Sequence, residues 1–255
     1  MKKTVWVVCL IAVCVVLVLS GTEIYKILSA QVQNEIYYDG VKSACFSEVP
    51  ADSAADPDAE NTAEQPPAQN TVTVDFKKLE DENKNTVGWL YLPGTRIDYP
   101  VVQGTDNLFY LSHLANGKKN INGALFADYR NQPDFSDYNT VIYGHYMKSH
   151  TMFGMLPNYK KQSFYDDHKI MYLYTDRVNY TLELVCGFST TGTSDFYLVP
   201  ANAALTREWL DYGIKNSTFV SNVTVGEGDR LVTLSTCSAS PDGDRYVVMA
   251  KLVPQ

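Results

Sequence analysis

Two side chains with complementary chemistry, a thiol and a guanidinium, lie near the end of the chain. Residues 231–252, LVTLSTCSASPDGDRYVVMAKL, read as two strands joined by a loop, because two β-favouring runs flank a segment rich in turn formers. Cys237 ends the first strand and Arg245 begins the second, so a hairpin places them opposite each other, about 5 Å apart at Cβ. A nearby cation favours the nucleophilic thiolate. The hairpin alone leaves open a structural cysteine that packs as a small apolar residue.

A histidine far upstream supplies a third group. Residues 140–143 form a short β-rich run, and His145 follows directly after Gly144. Side chains at strand ends project into loops and clefts, where catalytic residues are common. A cysteine and a histidine that are distant in sequence, and that both lie at strand ends, are the arrangement expected of a thiol acyl-transfer site.

These residues fall within blocks that resemble the sortases, the cysteine transpeptidases of Gram-positive surfaces, and class B in particular. The blocks are VGWLYLPGTRIDYPVVQGTDN (87–107), GALFADYRN (123–131), NTVIYGHYM (139–147), MFGMLPNY (152–159), SFYDDHKIMYLYT (163–175) and LSTC followed by R-x-V-V-x-A (234–250). They run in one order between about residue 76 and residue 252 without large gaps. Y-G-H and T-L-x-T-C are moderately specific alone, whereas the ordered set is highly specific.

The resemblance implies a mechanism in two halves. Cys237 attacks a carbonyl within the sorting signal of a secreted protein and gives a thioacyl-enzyme. His145 protonates the leaving amine and later accepts a proton from the incoming amine, which we expect to belong to a peptidoglycan precursor. Arg245 holds the substrate carbonyl and stabilises the oxyanion.

Five further residues are predicted to contact the peptide. Ser235 is in step with Cys237 on its strand, so its hydroxyl either lines the groove or bonds its own backbone. By resemblance, Asn107 matches a groove-lining asparagine. The other three fall in the loop where class B sortases contact the sorting peptide, although aromatic residues there are equally compatible with loop packing: Thr193, Tyr197 and Leu198.

The N-terminus predicts a membrane anchor. Lys2 and Lys3 precede an uncharged stretch over residues 4–22, which is just long enough for a spanning helix. A cleaved signal peptide is the alternative, but charged residues interrupt the region where cleavage would fall. We predict an uncleaved single-pass anchor over residues 1–22. The flanking lysines place the N-terminus in the cytoplasm and the catalytic domain outside the cell, at the cell membrane.

Two dissimilar segments follow the anchor. Residues 23–49 are weakly helical and predict a membrane-proximal stalk. Residues 50–70 carry five acidic and no basic side chains, which predicts a disordered linker. The catalytic domain is then expected over residues 71–255, and its length is ample for one hydrophobic core.

Composition excludes several other classes of function. The net charge is −8, and the sequence has no cluster of basic residues, so we do not expect the protein to bind nucleic acid. Cys45, Cys186 and Cys237 have no regular spacing, which argues against a disulfide scaffold or a zinc module. No pair of histidine and acidic residues has metal-ligand spacing, and no glycine-rich phosphate loop occurs. We therefore expect neither a metal nor a cofactor.

The domain itself reads as mainly β. Short β-rich runs separated by turn signals predict a sandwich or a barrel. They cover 88–92, 97–102, 124–127, 140–143, 169–174, 179–189, 230–237 and 245–252. Helical patterns cover about 75–85, with Asp75 as N-cap, then 152–159 and 203–215. By resemblance, the strands close into an eight-stranded sortase-type barrel with an N-terminal helix and a longer helix before the last two strands.

Two alternatives stay open. Another secreted thiol enzyme, such as a cell-wall peptidase or an L,D-transpeptidase, would also use cysteine and histidine, although the S-H-G-C context usual in the latter family is absent around Cys237. The second alternative is a non-catalytic, membrane-anchored β-barrel that binds peptide or cell wall.

Overall fold

A computed structural model of the chain describes residues 2–49, 71–194, 197, 199, 202–237 and 243–255. The strands in these residues are β1 (Phe46–Val49), β2 (Thr71–Val74), β3 (Thr86–Tyr91), β4 (Asp98–Gln103), β5 (Leu125–Ala127), β6 (Asn139–His145), β7 (Ile170–Tyr174), β8 (Tyr180–Thr191), β9 (Arg230–Cys237) and β10 (Asp244–Pro254). The α-helices are α1 (Lys2–Cys45), α2 (Phe76–Glu82), α3 (Gln162–Asp167) and α4 (Ala203–Lys215). Short 3₁₀ helices cover Phe109–Leu111 and Leu156–Lys160.

The strands from β3 to β10 close into one barrel with the neighbour order β10-β8-β7-β3-β4-β5-β6-β9. Two neighbouring pairs are parallel, β4 with β5 and β6 with β9, and the others are antiparallel. The predicted closed eight-stranded barrel is confirmed. Its parallel pair β6–β9 matters most for function, because it sets the C-terminal ends of two distant strands side by side.

Apolar side chains fill the barrel and cover part of its outside. The interior includes Val101, Ile142, Leu182, Leu234 and Val248, each 0% exposed. Outside, Trp209 and Leu210 of α4 pack with Phe188 and Met249. The middle parts of β8 and β10, residues 185–188 and 246–250, are therefore buried on both faces, which explains why they read as continuous apolar runs rather than alternating ones.

Most predicted elements are found where the patterns place them. Each predicted β-rich run corresponds to one barrel strand, with ends that differ by at most two residues. The helix α4 has the predicted bounds, and Asn202 caps it by accepting a hydrogen bond from Leu205 N. Asp75 caps α2 in the same way, through Lys78 N.

The predicted helix over 152–159 is wrong. Met152 has a φ of 50° and forms an isolated bridge with Tyr146, and this backbone conformation does not occur in a right-handed helix. Helical turns begin only in the segment Leu156–Lys160, which has Pro157 in its first turn. The α-helix of this region is α3, which follows that segment.

The N-terminal helix extends well beyond the predicted anchor. α1 has no break at residue 22, so residues 2–22 of the predicted anchor (1–22) and residues 23–45 of the predicted stalk (23–49) are one helix. By length and composition it can cross a membrane. Its later part is not a free stalk. Asn34, Tyr38, Val41 and Cys45 recur at helical spacing and are at most 6% exposed. This face mixes polar and apolar residues, so its burial is not evident in the sequence.

The predicted linker, residues 50–70, lies outside the described residues, but its two flanking residues are neighbours. β1 pairs with β2, and Val49 is the Cα partner of Thr71. The two ends of the segment are therefore held next to each other by one two-stranded sheet. The packing around the predicted catalytic domain (71–255) extends to residues before it, because Cys45 at the end of α1 lies in one apolar cluster with Leu79 and Trp89.

Candidate active site

The ends of β6 and β9 bring two of the predicted catalytic residues together. In the parallel register of these strands, His145 is the Cα partner of Cys237. The structure describes Cys237 by its backbone, and residues 238–242 after it lie outside the described part of the chain. The imidazole of His145 is half-buried, and its Nε2 lies 2.6 Å from the carbonyl oxygen of Leu111.

Arg245 joins this pair from the next strand. The antiparallel register of β9 and β10 pairs Ser235 with Val247, and its continuation places Cys237 opposite Arg245. Between these two pairs of residues, Tyr246 N donates a hydrogen bond to the side-chain oxygen Thr236 Oγ1 at 2.8 Å, and not to a backbone carbonyl. All three predicted catalytic residues therefore lie at the same end of the barrel.

Two aromatic rings fix the guanidinium of Arg245. Its Cζ lies 5.3 Å from the ring centroid of Tyr197 and 5.9 Å from that of Tyr143, both within the range of a cation–π interaction. Gly192 lies against the same side chain, and a Cβ there would be 2.9 Å from Arg245 Nε. The guanidinium is therefore held over ring faces and passes close to the backbone of Gly192.

A cleft of about 290 Å³ opens beside these groups. Its lining residues are Asn107, Leu108, Leu111, Phe126, Arg130, Tyr143, Gly192, Tyr197 and Arg245. Apolar walls with a few converging polar groups are typical of a site that binds a ligand in one orientation.

The predicted peptide-contacting residues are placed differently from one another. Asn107 and Tyr197 line the cleft. Ser235 is fully buried, and its Oγ lies 2.8 Å from the hydroxyl of Tyr197, so it supports a cleft residue and does not face the cleft itself. Thr193 is exposed beside Gly192, with its Oγ1 3.3 Å from Thr191 Oγ1. Leu198 lies outside the described residues.

Below the cleft lies a charged hub centred on Asp128, which the sequence analysis did not single out. Asp128 is 0% exposed and accepts hydrogen bonds from Arg130 Nε at 2.8 Å and Nη2 at 2.7 Å. It also accepts from Asn107 Nδ2 at 2.9 Å and from the Tyr143 hydroxyl at 3.0 Å. Arg130 Nη2 continues to the carbonyl oxygen of Tyr197 at 2.8 Å. The hub thus links four residues of the cleft lining, Asn107, Arg130, Tyr143 and Tyr197.

These contacts set the ionisation of the hub. Burial alone raises the pKa of Asp128, but the hydrogen bonds from Arg130 and Asn107 outweigh burial and hold that pKa below its ordinary value of 3.8. Burial and the neighbouring Asp128 charge raise the pKa of Tyr143 far above its usual range. Tyr143 therefore keeps its proton, and its hydroxyl donates a hydrogen bond to the ionised carboxylate of Asp128.

The hub residues were missed because their signal is ambiguous. An aspartate and an arginine two residues apart, as in Asp128 and Arg130, usually form a solvated turn. Their position could have indicated a functional role, because they lie inside the block GALFADYRN, between the predicted site residues Asn107 and His145.

The other histidines take no part in the cleft. His113 stacks on Phe109 with 3.9 Å between ring centroids, and His168 packs edge-on against Phe164. His150 adopts a φ of 62° in a turn. Cys186, predicted to be a core residue, is fully buried, and burial raises the pKa of its thiol to about 12. That thiol is therefore unsuited to act as a nucleophile.

Comparisons with known proteins agree with this architecture. The sortase domain family matches residues 90–253. Sortase B of Listeria monocytogenes is 39% identical over 184 residues, covering 70% of this chain and 74% of that protein. Sortase B of Staphylococcus aureus is 38% identical over 189 residues, covering 72% and 77%. The solved Staphylococcus aureus sortase B–substrate complex superimposes with a TM-score of 0.67 at 36% identity, covering 71% of this chain and 85% of that one.

The chain belongs to the sortase family. It is a cysteine transpeptidase, which cleaves a sorting signal through a thioacyl-enzyme and transfers the acyl group to an amine. Membership decides in favour of this function over the two alternatives, a different thiol peptidase and a barrel that only binds.

Proposed function

We propose that Cys237, His145 and Arg245 are the catalytic residues of this transpeptidase. The observation that carries the proposal is the strand register, in which His145 and Cys237 are direct partners and Arg245 begins the neighbouring strand. His145 comes from a part of the sequence far from the hairpin that carries the other two residues, and all three lie at one end of the barrel, beside a cleft.

In the first half-reaction, the thiolate of Cys237 attacks the carbonyl carbon of the sorting peptide. A sulfur–carbon bond forms, and the carbonyl oxygen becomes an oxyanion that Arg245 stabilises. Collapse of this intermediate breaks the carbon–nitrogen bond, and His145, as imidazolium, gives its proton to the leaving amine. The product is a thioacyl-enzyme.

In the second half-reaction, the incoming amine attacks the thioester. His145 accepts the proton of that amine, a new amide bond forms, and the thiolate of Cys237 leaves. The carbonyl of Leu111 can only accept a hydrogen bond, so Nε2 of His145 carries a proton in this geometry. Nδ1 is then the nitrogen that exchanges the proton with the substrate amines.

We infer that Asn107 and Tyr197 contact the sorting peptide, because both line the cleft beside Arg245. Ser235 acts one step behind them, through the Tyr197 hydroxyl. Support for a peptide ligand comes from the related sortase B that was solved as a substrate complex. Thr193 and Leu198 belong to the same loop region and remain proposed contacts.

We further propose that the acceptor is an amine of a peptidoglycan precursor and that α1 anchors the enzyme in the cell membrane. The apolar start of α1 is fully exposed, which suits a lipid environment. Lys2 and Lys3 favour a cytoplasmic N-terminus and an extracellular catalytic domain. Protease added to intact cells should then remove the catalytic domain and spare an N-terminal tag.

The central experiment uses the full chain in detergent, a library of sorting-type peptides and triglycine as acceptor. We expect cleavage, ligation to triglycine, and a thioester on Cys237 by mass spectrometry. Cys237→Ala should abolish both reactions, and His145→Ala and Arg245→Ala should each lower the rate by about a hundredfold or more. Cys186→Ala is the matched control, because it removes a buried thiol far from the proposed chemistry.

Two results would each reject one part of the proposal. Cleavage that survives Cys237→Ala would remove the proposed nucleophile. Peptide hydrolysis with no ligation to any amine, including peptidoglycan stem peptides, would reject the proposed acceptor while leaving the thiol chemistry intact.

A further inference from the structure

The imidazole of His145 rests on the backbone of one loop. We call residues 109–124 the histidine loop. Its Leu111 carbonyl accepts the hydrogen bond from His145 Nε2 at 2.6 Å. Its Gly123 has a φ of +63°, and a Cβ at this position would lie 3.0 Å from His145 Cδ2 and 2.6 Å from the carbonyl oxygen of Tyr110. The position of the ring therefore depends on where this backbone lies.

The histidine loop is fixed in turn by the docked part of α1. The Tyr38 hydroxyl donates to Gly123 O at 3.2 Å and accepts from Ala115 N at 3.3 Å. The carbonyl oxygen of Ala30, two helical turns earlier, accepts from Asn120 Nδ2 at 2.9 Å and from Asn122 Nδ2 at 3.3 Å.

The side chains that make these bonds are withdrawn from solvent. Tyr38 and Asn120 are each 4% exposed, and Asn122 is 3% exposed. Removing the hydrogen-bond partner of a buried polar group destabilises the folded state, because no water takes the place of that partner. The contacts therefore hold the loop firmly against the helix.

We propose that Tyr38 and Asn122 are positioning residues for catalysis, which act through the histidine loop on the imidazole of His145. The segment of α1 that follows the apolar stretch is thus part of the active-site framework. This inference rests on the proposed role of His145 as the proton-transfer residue.

These polar contacts are distinct from the apolar contacts that attach α1 to the domain. Val41 and Cys45 pack with Leu79 and Trp89, in a cluster that does not include the histidine loop. The hydroxyl of Tyr38 and the amide of Asn122 contact atoms of the loop and of α1. The Tyr38 ring also packs in the main core cluster together with residues of the histidine loop. Removing only the Tyr38 hydroxyl or the Asn122 amide leaves this packing and the apolar cluster in place, so the loop should shift while the helix stays attached.

The test compares Tyr38→Phe and Asn122→Ala with the control Tyr159→Phe in the full chain in detergent. Tyr159 is also fully buried, and its hydroxyl donates to a backbone carbonyl outside the histidine loop, that of His168, at 2.9 Å. The substrates are triglycine and the library peptide that the wild-type chain cleaves fastest. The measurements are kcat, KM and the thermal midpoint, together with the imidazole NMR signals of His145, assigned with a His145→Gln variant.

We expect Tyr38→Phe and Asn122→Ala to lower kcat about tenfold, with KM changed by less than about twofold, because misplacement of a reacting group weakens the chemical step more than binding. The His145 signals should shift in both variants and stay unchanged in Tyr159→Phe. Asn122→Ala keeps the test decisive should Tyr38→Phe fail to fold.

Wild-type kcat and unshifted His145 signals in both variants would overturn the inference, as would a loss no larger than that of Tyr159→Phe. Failure of the underlying assignment looks different, because cleavage would then survive His145→Ala in the same assay. The two failures are therefore distinguishable.

Discussion

The two sides of the cleft hold their proposed catalytic groups by different means. His145 is held by backbone, through the carbonyl of Leu111 and the bare Cα of Gly123. Arg245 is held by side chains, above the rings of Tyr143 and Tyr197. The position of the imidazole therefore depends on the backbone conformation, and the position of the guanidinium depends on which side chains surround it.

The difference matches what each group must do. A proton-transfer residue needs one nitrogen at a defined place, since proton transfer requires hydrogen-bond distance. A single hydrogen bond to a fixed carbonyl provides this. A guanidinium that stabilises spread charge tolerates small shifts, and attraction to a ring face falls off gently with displacement. Substitutions should therefore disturb the two sides by different routes.

The arginine side depends on the buried hub, so breaking the hub should have the largest effect. Asp128→Asn removes the fully buried partner of Arg130, whose own side chain is 32% exposed. We expect a loss of roughly 3 kcal/mol of unfolding free energy, the lower end of the range for a broken buried pair, because water reaches part of the guanidinium. Urea denaturation at about pH 7 measures it. Asp128→Asn combined with Arg130→Met should lose less, because no charge is then left alone. Equal losses would contradict the buried-pair explanation.

The same carboxylate predicts a pH dependence with a defined sign. The pKa of Asp128 in the folded protein lies below its ordinary value, because hydrogen bonds from Arg130 outweigh burial. As the pH falls, the unfolded chain takes up this proton first, near a pKa of about 3.9. The stability that Asp128 contributes is present above that value and disappears as the pH falls through the lower, folded pKa. The difference in unfolding free energy between wild type and Asp128→Asn should therefore become smaller as the pH is lowered into this range.

How much of this was predictable depends on where the information lies. β-rich runs and turn signals predict the barrel strands, and the helical spacing of apolar residues predicts α4. Both patterns are visible in the sequence because they depend on the type of side chain at each position. The docking of α1 was missed, since the buried face containing Asn34 and Tyr38 has no continuous apolar stripe. The support of His145 could not be predicted either, because the carbonyl of Leu111 belongs to the backbone and leaves no mark on residue type.

Replacing the guanidinium itself should come next in size. Arg245→Lys keeps the positive charge but loses the planar fork that lies over the rings of Tyr143 and Tyr197. We expect kcat/KM to fall about a hundredfold, the scale of losing one oxyanion donor. Tyr197→Phe is the informative companion, since it keeps the ring and removes the hydroxyl that contacts Ser235. An active Arg245→Lys enzyme would show that charge alone suffices on this side.

The histidine side is tested by Gly123→Ala. The added Cβ would meet the carbonyl of Tyr110 at 2.6 Å and the His145 ring at 3.0 Å. We expect kcat to fall about tenfold through displacement of the ring, together with lower thermal stability. Gly117→Ala is the matched control, because Gly117 lies in the same loop at a φ of +78° with nothing within 4 Å. It should show the backbone strain without the loss of kcat. Equal losses of kcat in both variants would assign the effect to strain alone.

The smallest effect is expected at Gly192, where the comparison becomes sharpest. Gly192→Ala places a methyl group 2.9 Å from Arg245 Nε, an atom of a flexible side chain rather than of the backbone. The guanidinium can yield by a few tenths of an ångström and stay near the Tyr197 ring, so we expect kcat/KM to fall only about threefold. Gly226→Ala, whose Cβ would meet Asp229 Oδ2 at an ordinary 3.6 Å, is the control. A loss as large as that of Gly123→Ala would mean that the guanidinium is held as strictly as the imidazole, and the contrast between the two sides would fail.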